Sequence, residues 1–298
     1  MSQPPNRPEL TSNLEAILHS QGYRLAEEDI AFLAQPELRP VRMQLELLKP
    51  EMQLAEHHVS STIVLFGSTQ IVAESEAQQR LVRAEEAAAK APGDRKLARE
   101  VERARKLLAK SHYYEAARDF ARLVTMCCQP DSEIHYVIVT GGGPGIMEAG
   151  NRGAYEAGGK SIGLNISLPA EQVPNPYITP DLCFRFRYFA MRKLHFLLRA
   201  RALIAFPGGF GTMDELFEAL TLRQTHRMQE IPIVLFGREY WDRVIDFQFL
   251  ADEGAIQDEH LKLITYAETA QEAWEIIDRF HRERVQPPAE EPPTLSQF

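Results

Sequence analysis

Two glycine-rich segments and a handful of charged residues carry most of the chemistry open to this sequence. Gly141-Gly142-Gly143-Pro144-Gly145 follows one apolar, β-branched run, and Pro207-Gly208-Gly209-Phe210-Gly211-Thr212 follows another. Glycine admits positive φ and lets backbone N–H groups approach an anion closely. A helix that starts directly after such a loop adds the field of its N-terminus. Gly67-Ser68-Thr69 ends a third apolar run. Neither glycine loop reads G-x-G-x-x-G, and neither ends in G-K-[ST], so the two standard nucleotide fingerprints are absent while anion-binding loops occur twice.

Charge around the second loop points the same way. From Leu182 to Met213 there is no acidic residue, yet Arg185, Arg187, Arg192, Lys193, Arg199 and Arg201 fall there. A local positive field of this kind suits a phosphate monoester. Arg192 and Lys193 are the better ligand candidates. Arg199 and Arg201 come near the end of a helical pattern, where a cation is favourable without any ligand. Glu215 has two readings. Thr212-Met213-Asp214-Glu215 fits the capping box T-x-x-E, which accounts for both residues structurally. A carboxylate beside an anion-binding loop is otherwise costly to binding, and that cost suggests a catalytic task. His195 stands three residues after Arg192, but a packing histidine is the commoner case. Cys183 reads as core. G-x-S-x-G is absent, so no nucleophile elbow is indicated.

The elements that position these residues alternate. Short apolar runs at Thr62–Phe66, Tyr136–Thr140, Ser161–Leu164, Leu182–Phe186, Ala202–Phe206 and Ile231–Phe236 read as buried strands, each followed by turn chemistry. Helical patterns cover 144–158, 187–199, 212–227 and 239–252. This alternation predicts an α/β fold: a Rossmann-like parallel sheet with helices on both faces. In such sheets ligands bind beyond the carboxyl ends of the strands, so all the loops above converge on one edge. Residues 1–58 read as a helical extension broken by Pro36, Pro40 and Pro50. The Rossmann-like domain is placed at 59–285, with a helical hairpin inserted at about 74–110. Residues 74–128 are helical throughout except at Pro92-Gly93-Asp94, and 74–110 holds 10 basic and 7 acidic residues. One reading is a partner-binding or RNA-binding arm; the other, favoured because mixed charge on a helix usually marks a solvated face, is a hairpin with one stripe packed on the body or on a neighbouring subunit. The Pro/Glu-rich stretch 286–298 reads as a disordered tail.

Composition bounds the function. The chain has 298 residues, 44% hydrophobic and 25% charged, with 33 Lys+Arg against 42 Asp+Glu and a net charge of −9. That balance argues against a general affinity for nucleic acid or an anionic membrane. Three cysteines without a C-x-x-C suggest neither a disulfide framework nor a zinc or dithiol site, and fit a reducing, cytoplasmic setting. The first ten residues lack an apolar signal-peptide core.

PGGFGTMDE at 207–215 resembles the motif P-G-G-x-G-T-x-x-E of the LOG (Lonely Guy) family, nucleoside 5′-monophosphate phosphoribohydrolases formerly mislabelled lysine decarboxylases. The companion motif M-x-x-R-K reads Phe189-Ala190-Met191-Arg192-Lys193, with Phe in place of the leading Met. The interval from Arg192 to Glu215 agrees with the family. TGGGPGIMEAGNRGA at 140–154 resembles the family's other glycine loop, with Glu148 where plant-type members usually carry Gly. The resemblance spans roughly 60–282. It implies hydrolysis of the N-glycosidic bond of AMP or a modified adenylate, such as a cytokinin riboside 5′-monophosphate, to free base and ribose 5-phosphate. Arg192 and Glu215 would be the catalytic pair. Gly208, Gly209, Gly211 and Thr212 would hold the 5′-phosphate, with Lys193 as a further anion ligand. Gly67, Ser68, Gly141, Gly142 and Gly143 would line the nucleotide pocket. No metal or cofactor is implied, and a homo-oligomer, dimer or hexamer, is. The alternative is a non-catalytic binder resembling molybdenum-cofactor carrier proteins, which would use the same loops without needing Glu215. A nucleic-acid-handling module of similar fold is disfavoured by the net charge. No lysine stands in a context that argues for pyridoxal chemistry.

Overall fold

A computed structural model describes residues 7–129, 135–169 and 173–284. Chain contacts divide it into two units, 1–49 and 50–298. The expected tail at 286–298 lies outside the described residues. In the first unit, α1 (Arg7–Leu18) and the one-turn α2 (Ile30–Leu33) are followed by the start of α3 (Arg39–Glu56), whose residues from Pro50 onward belong to the second unit. Asp29 caps α2 by accepting from the Phe32 amide at 3.0 Å.

The second unit is built on seven parallel strands: β1 (Thr62–Phe66), β2 (Val137–Thr140), β3 (Ser161–Ile166), β4 (Cys183–Phe186), β5 (Ala200–Ala205), β6 (Ile233–Phe236) and β7 (Ile264–Ala267). Their spatial order is β4-β3-β2-β1-β5-β6-β7. All residues of β1, β2, β3 and β6 are buried, as expected for strands covered on both faces. The helices are α4 (Glu74–Lys90), α5 (Arg95–Leu108), α6 (His112–Cys128), α7 (Ile146–Glu156), α8 (Phe189–Leu198), α9 (Phe210–Gln224), α10 (Arg238–Val244), α11 (Phe247–Asp252) and α12 (Ala270–Glu283). One core layer joins α8, α9 and Trp241 of α10 to the sheet through Phe196, Leu197, Leu216 and Ala219. The other joins α6, α7 and α12 through Phe120, Val124, Ala149, Ala154 and Ile277. The expected α/β architecture with helices on both faces is therefore what the chain adopts.

Several boundaries differ from the sequence reading, each for a local reason. β7 was not anticipated, because this edge strand is only partly buried and lacks a continuous apolar run. The single helix expected over 239–252 is two, because Asp246 caps α11 by accepting from the Phe249 amide at 2.9 Å. Arg201 lies in β5 rather than near a helix end, and its guanidinium donates to Gln229 Oε1 at 2.7 Å. The long helical segment is a hairpin, α4 and α5, followed by the core helix α6. The turn between α4 and α5 is closed by Asp94, which accepts from the amides of Lys96 and Leu97 at 2.8 and 3.3 Å.

Candidate active site

The strand order reverses its direction of growth between β1 and β5. At such a switch point the loops on either side diverge and leave a crevice at the carboxyl edge. Here the crevice is framed by the loops after β1, β2 and β5. The Ser68 amide donates to the Pro207 carbonyl at 3.0 Å, and the Ile146 amide donates to the Ser68 carbonyl at 3.1 Å. Gly67, Ser68, the 141–145 loop and the 207–209 loop are thus stitched together by backbone hydrogen bonds.

A buried polar network sets the shape of the 141–145 loop. The Thr140 hydroxyl donates to Asn151 Oδ1 at 2.7 Å and accepts from the Gly142 amide at 3.0 Å. Asn151 Nδ2 donates to Ser161 Oγ at 3.0 Å and the Ile162 carbonyl at 3.2 Å. Asn175 Nδ2 donates to Asn151 Oδ1 at 2.9 Å and to the Gly143 carbonyl at 3.1 Å, while its own amide donates to the Gly142 carbonyl at 2.9 Å. Gly142 sits at φ +71°, and a Cβ there would lie 2.1 Å from Asn165 Oδ1. Only glycine fits that turn. These asparagines were not singled out in the sequence, because an isolated Asn carries no spacing signal.

The second loop is held differently. Tyr240 Oη donates to the Gly208 carbonyl at 2.5 Å. A Cβ on Gly208 would lie 2.1 Å from Thr212 Oγ1. Gly209 is the N-cap of α9, and no side chain caps that helix. The capping-box reading of Thr212 and Glu215 therefore fails: the helix starts earlier, which places Thr212 in its first turn and Glu215 in its second. Thr212, Glu215, Leu216 and Ala219 are buried, the face of α9 turned to the protein. Among the described residues no side chain caps the first turn of α9, and a Cβ on Gly209 or Gly211 would meet open space.

Glu215 and Arg192 meet across α9 and α8. Arg192 Nη2 stands 3.1 Å from Glu215 Oε1, with both side chains largely buried. Burial pushes the Glu215 carboxyl up to about 7, against the opposing pull of Arg192 and Lys193. Arg192 keeps a buried Nε with no hydrogen-bond partner among the described residues, and its guanidinium lies 5.1 Å from the centre of the Phe189 ring. The buried ion pair thus joins a carboxyl poised near neutrality to a cation with a donor to spare.

The other cations of 182–213 are partly engaged. Lys193 Nζ lies 2.8 Å from Asp214 Oδ1 and 3.2 Å from Glu218 Oε2, contacts that raise its pKa although burial works to lower it. Lys193 lines an open cleft of about 630 Å³ on the outer face of α9 with Phe210, Met213, Phe217 and Leu222; neither Arg192 nor Glu215 lines it. Arg199 pairs with Glu51, and His195 Nδ1 lies 3.4 Å from the same carboxylate with its ring against Phe186. His195 is thus a packing residue on the buried face of α8. Glu148 accepts from Tyr114 Oη at 2.8 Å and ties α7 to α6.

Residues 147–277 match the family model described as "Possible lysine decarboxylase". This span encloses Arg192, Lys193 and the 207–215 motif, and is narrower than the expected 60–282. A probable cytokinin riboside 5′-monophosphate phosphoribohydrolase of Oryza sativa subsp. japonica is 26% identical over 153 residues, 48% of this chain and 68% of that protein. A cytokinin riboside 5′-monophosphate phosphoribohydrolase of Arabidopsis thaliana is 27% identical over 176 residues, 57% of this chain and 77% of that protein. The resemblance to the LOG family thus extends beyond the motifs to longer stretches of the chain, at modest identity. Among solved structures, that of TM1055 is 21% identical with a TM-score of 0.45, covering 74% of this chain and 99% of its own. The molybdenum cofactor binding protein from Rippkaea orientalis is 21% identical with a TM-score of 0.40, covering 56% and 87%.

Proposed function

We propose that this protein hydrolyses the N-glycosidic bond of a nucleoside 5′-monophosphate to free base and ribose 5-phosphate. The observation that carries the reading is the buried Glu215–Arg192 pair, on helices that start at the sheet edge where the two glycine loops lie. Glu215 has no capping role to explain it. A buried carboxylate next to an anion site weakens both folding and binding unless its charge is used. The relatives at 26% and 27% identity, named as phosphoribohydrolases, support the same reaction class.

In this reading the 5′-phosphate rests on the 208–211 loop and the uncapped N-terminus of α9, with Thr212 beside it. Gly67, Ser68 and Gly141–Gly143 line the rest of the nucleotide site. Phosphate binding remote from the reacting bond positions the sugar. As the C1′–N bond breaks, positive charge grows on the ribose, and the ionised Glu215 stabilises it. The same carboxylate takes a proton from the attacking water. Arg192 holds Glu215 in place and lends its positive charge to the anionic substrate. The departing base takes its proton from solvent water as Glu215 returns its own, so the reaction balances without a proton from Arg192. The base is AMP's adenine or a modified adenine, as in a cytokinin riboside 5′-monophosphate.

Decarboxylation through a lysine imine does not fit these residues. Lys193, the lysine next to Arg192, is held as an ammonium by Asp214 and Glu218.

The test is release of base and ribose 5-phosphate from a panel of nucleoside 5′-monophosphates by the wild type and by Glu215→Gln. Release by the wild type alone supports the reading. Tight nucleotide binding without release from any member overturns it in favour of a non-catalytic carrier.

A further inference from the structure

The hairpin α4–α5 is left unused by the proposed reaction. It enters the chain between β1 and α6, so it grows from the carboxyl edge of the sheet, where the glycine loops lie. One face of α5 is apolar: Leu97, Val101, Ala104 and Leu108 repeat at intervals of four, three and four residues, and Val101 is buried. The opposite face is basic. Lys96, Arg99, Arg103, Lys106 and Lys110 repeat at intervals of three, four, three and four, which keeps them on one side of a helix and its last turn. The first four are exposed and Lys110 is half-exposed.

These five cations have no ion pair among the described residues. The neighbouring Arg105 is different: although exposed, it pairs with Glu85 of α4 and with Glu102. Glu100 flanks the stripe at one edge and is the one acidic residue of α5 left without an ion pair. From Arg95 to Lys110 there are seven cations and two acids, in a chain whose net charge is −9. Like charges crowded on one face cost stability unless something anionic meets them.

We propose that the basic face of α5 binds the phosphate backbone of a nucleic acid, without reading its sequence. The array runs about 21 Å along the helix axis, with a positive charge every ~5 Å. That is the regular, linear charge of a phosphate chain. The face carries no aromatic or large apolar side chain, so it lacks the anchors a protein partner requires and the wedge that would hold it in a lipid surface. It also lacks Asn or Gln to read base edges. The whole-chain charge does not oppose this, because at physiological salt repulsion from acids farther than ~8 Å away is screened. The expectation of no nucleic-acid partner rests on the net charge of the whole chain, which does not describe this strip. The proposal does not depend on the hydrolase reading.

The experiment is fluorescence anisotropy of the full chain with a labelled 25-base-pair DNA duplex and a labelled 25-nucleotide single strand, from 50 to 200 mM NaCl. Five phosphate contacts give a log–log salt slope of about −4.5 for the duplex and about −3.5 for the single strand, a loss of about 500-fold or about 130-fold over that range. A variant with Lys96, Arg99, Arg103, Lys106 and Lys110 all changed to Gln, its fold checked by circular dichroism, loses binding at least 10-fold and flattens the slope. Its base-release activity is unchanged. Arg103→Glu alone weakens binding several-fold, which keeps the test valid if the fivefold variant misfolds. Absence of binding at 50 mM NaCl overturns the proposal, and so does binding that the variants leave untouched. Stripe-dependent binding to phosphatidylserine vesicles with none to either nucleic acid overturns it in favour of a lipid surface.

Discussion

Replacing Glu215 by Gln should make the protein more stable at alkaline pH and barely change it at acid pH. The carboxyl has an ordinary value of 4.5 and is raised to about 7 in the fold, first by burial. A group raised on folding contributes stability that is fully present below its unfolded value and is lost as pH climbs through the folded one. The difference of about 2.5 pH units corresponds to about 3 kcal/mol, at 1.36 kcal/mol per unit. Gln keeps the size of the protonated acid and can still accept from Arg192, so the variant stands for the neutral form at every pH. The advantage of Glu215→Gln over wild type should therefore grow from about 1 kcal/mol at pH 5 to about 3 kcal/mol at pH 8. At ~2–4 °C per kcal/mol for a unit of this size, that is a rise in Tm of about 6 °C or more at pH 8. Urea or thermal unfolding of both proteins across pH 5–8 reads it directly and needs no substrate. A difference that stays flat with pH, or a variant less stable at pH 8 than wild type, refutes the reasoning. Glu215 would then be an ordinary structural partner of Arg192.

Further outcomes are expected. If ionised Glu215 is the base, kcat/KM should rise with pH through about 7. Arg192→Gln should move that inflection upward by at least one unit, since two charges ~4 Å apart at an effective dielectric of 20 interact by about 4 kcal/mol, a ceiling near three units; an unmoved inflection counts against the pair. Gly142→Ala should destabilise by at least ~1–2 kcal/mol through its positive φ and the clash with Asn165, and weaken nucleotide binding in calorimetry. Asn151→Ala takes the acceptor from the Thr140 O–H and from one N–H of Asn175, which keep their bonds to Gly142 and Gly143, and should cost about 1–3 kcal/mol, measurable by urea denaturation. Light scattering after size exclusion should give a dimer or larger, and a monomer at micromolar concentration refutes the expected homo-oligomer.

The parallel sheet and the edge that carries the glycine loops were legible in the sequence because both depend on local order. A β-branched run such as Thr62–Phe66 or Ile233–Phe236 announces a strand buried on both faces, and a glycine loop at its end announces a turn toward a helix. Arg192 and Glu215 could be named from their motifs, 23 residues apart. Packing decided what they are. The 3.1 Å ion pair and the burial that brings Glu215 near neutrality arise where α8 and α9 face each other, and no spacing rule contains that approach. The same holds for the fate of Thr212-x-x-Glu215, which local pattern reads as a cap. Gly209 starts α9 early because the 207–209 loop is tied to Ser68 and Tyr240, and that turns both side chains inward. Asn151, Asn165 and Asn175 became a single network through contacts between distant segments, and Lys193 found two carboxylates on a neighbouring helix. Local sequence sets which residues can turn, coil or carry charge; desolvation and pairing, which set what that charge does, exist only once the chain has closed on itself.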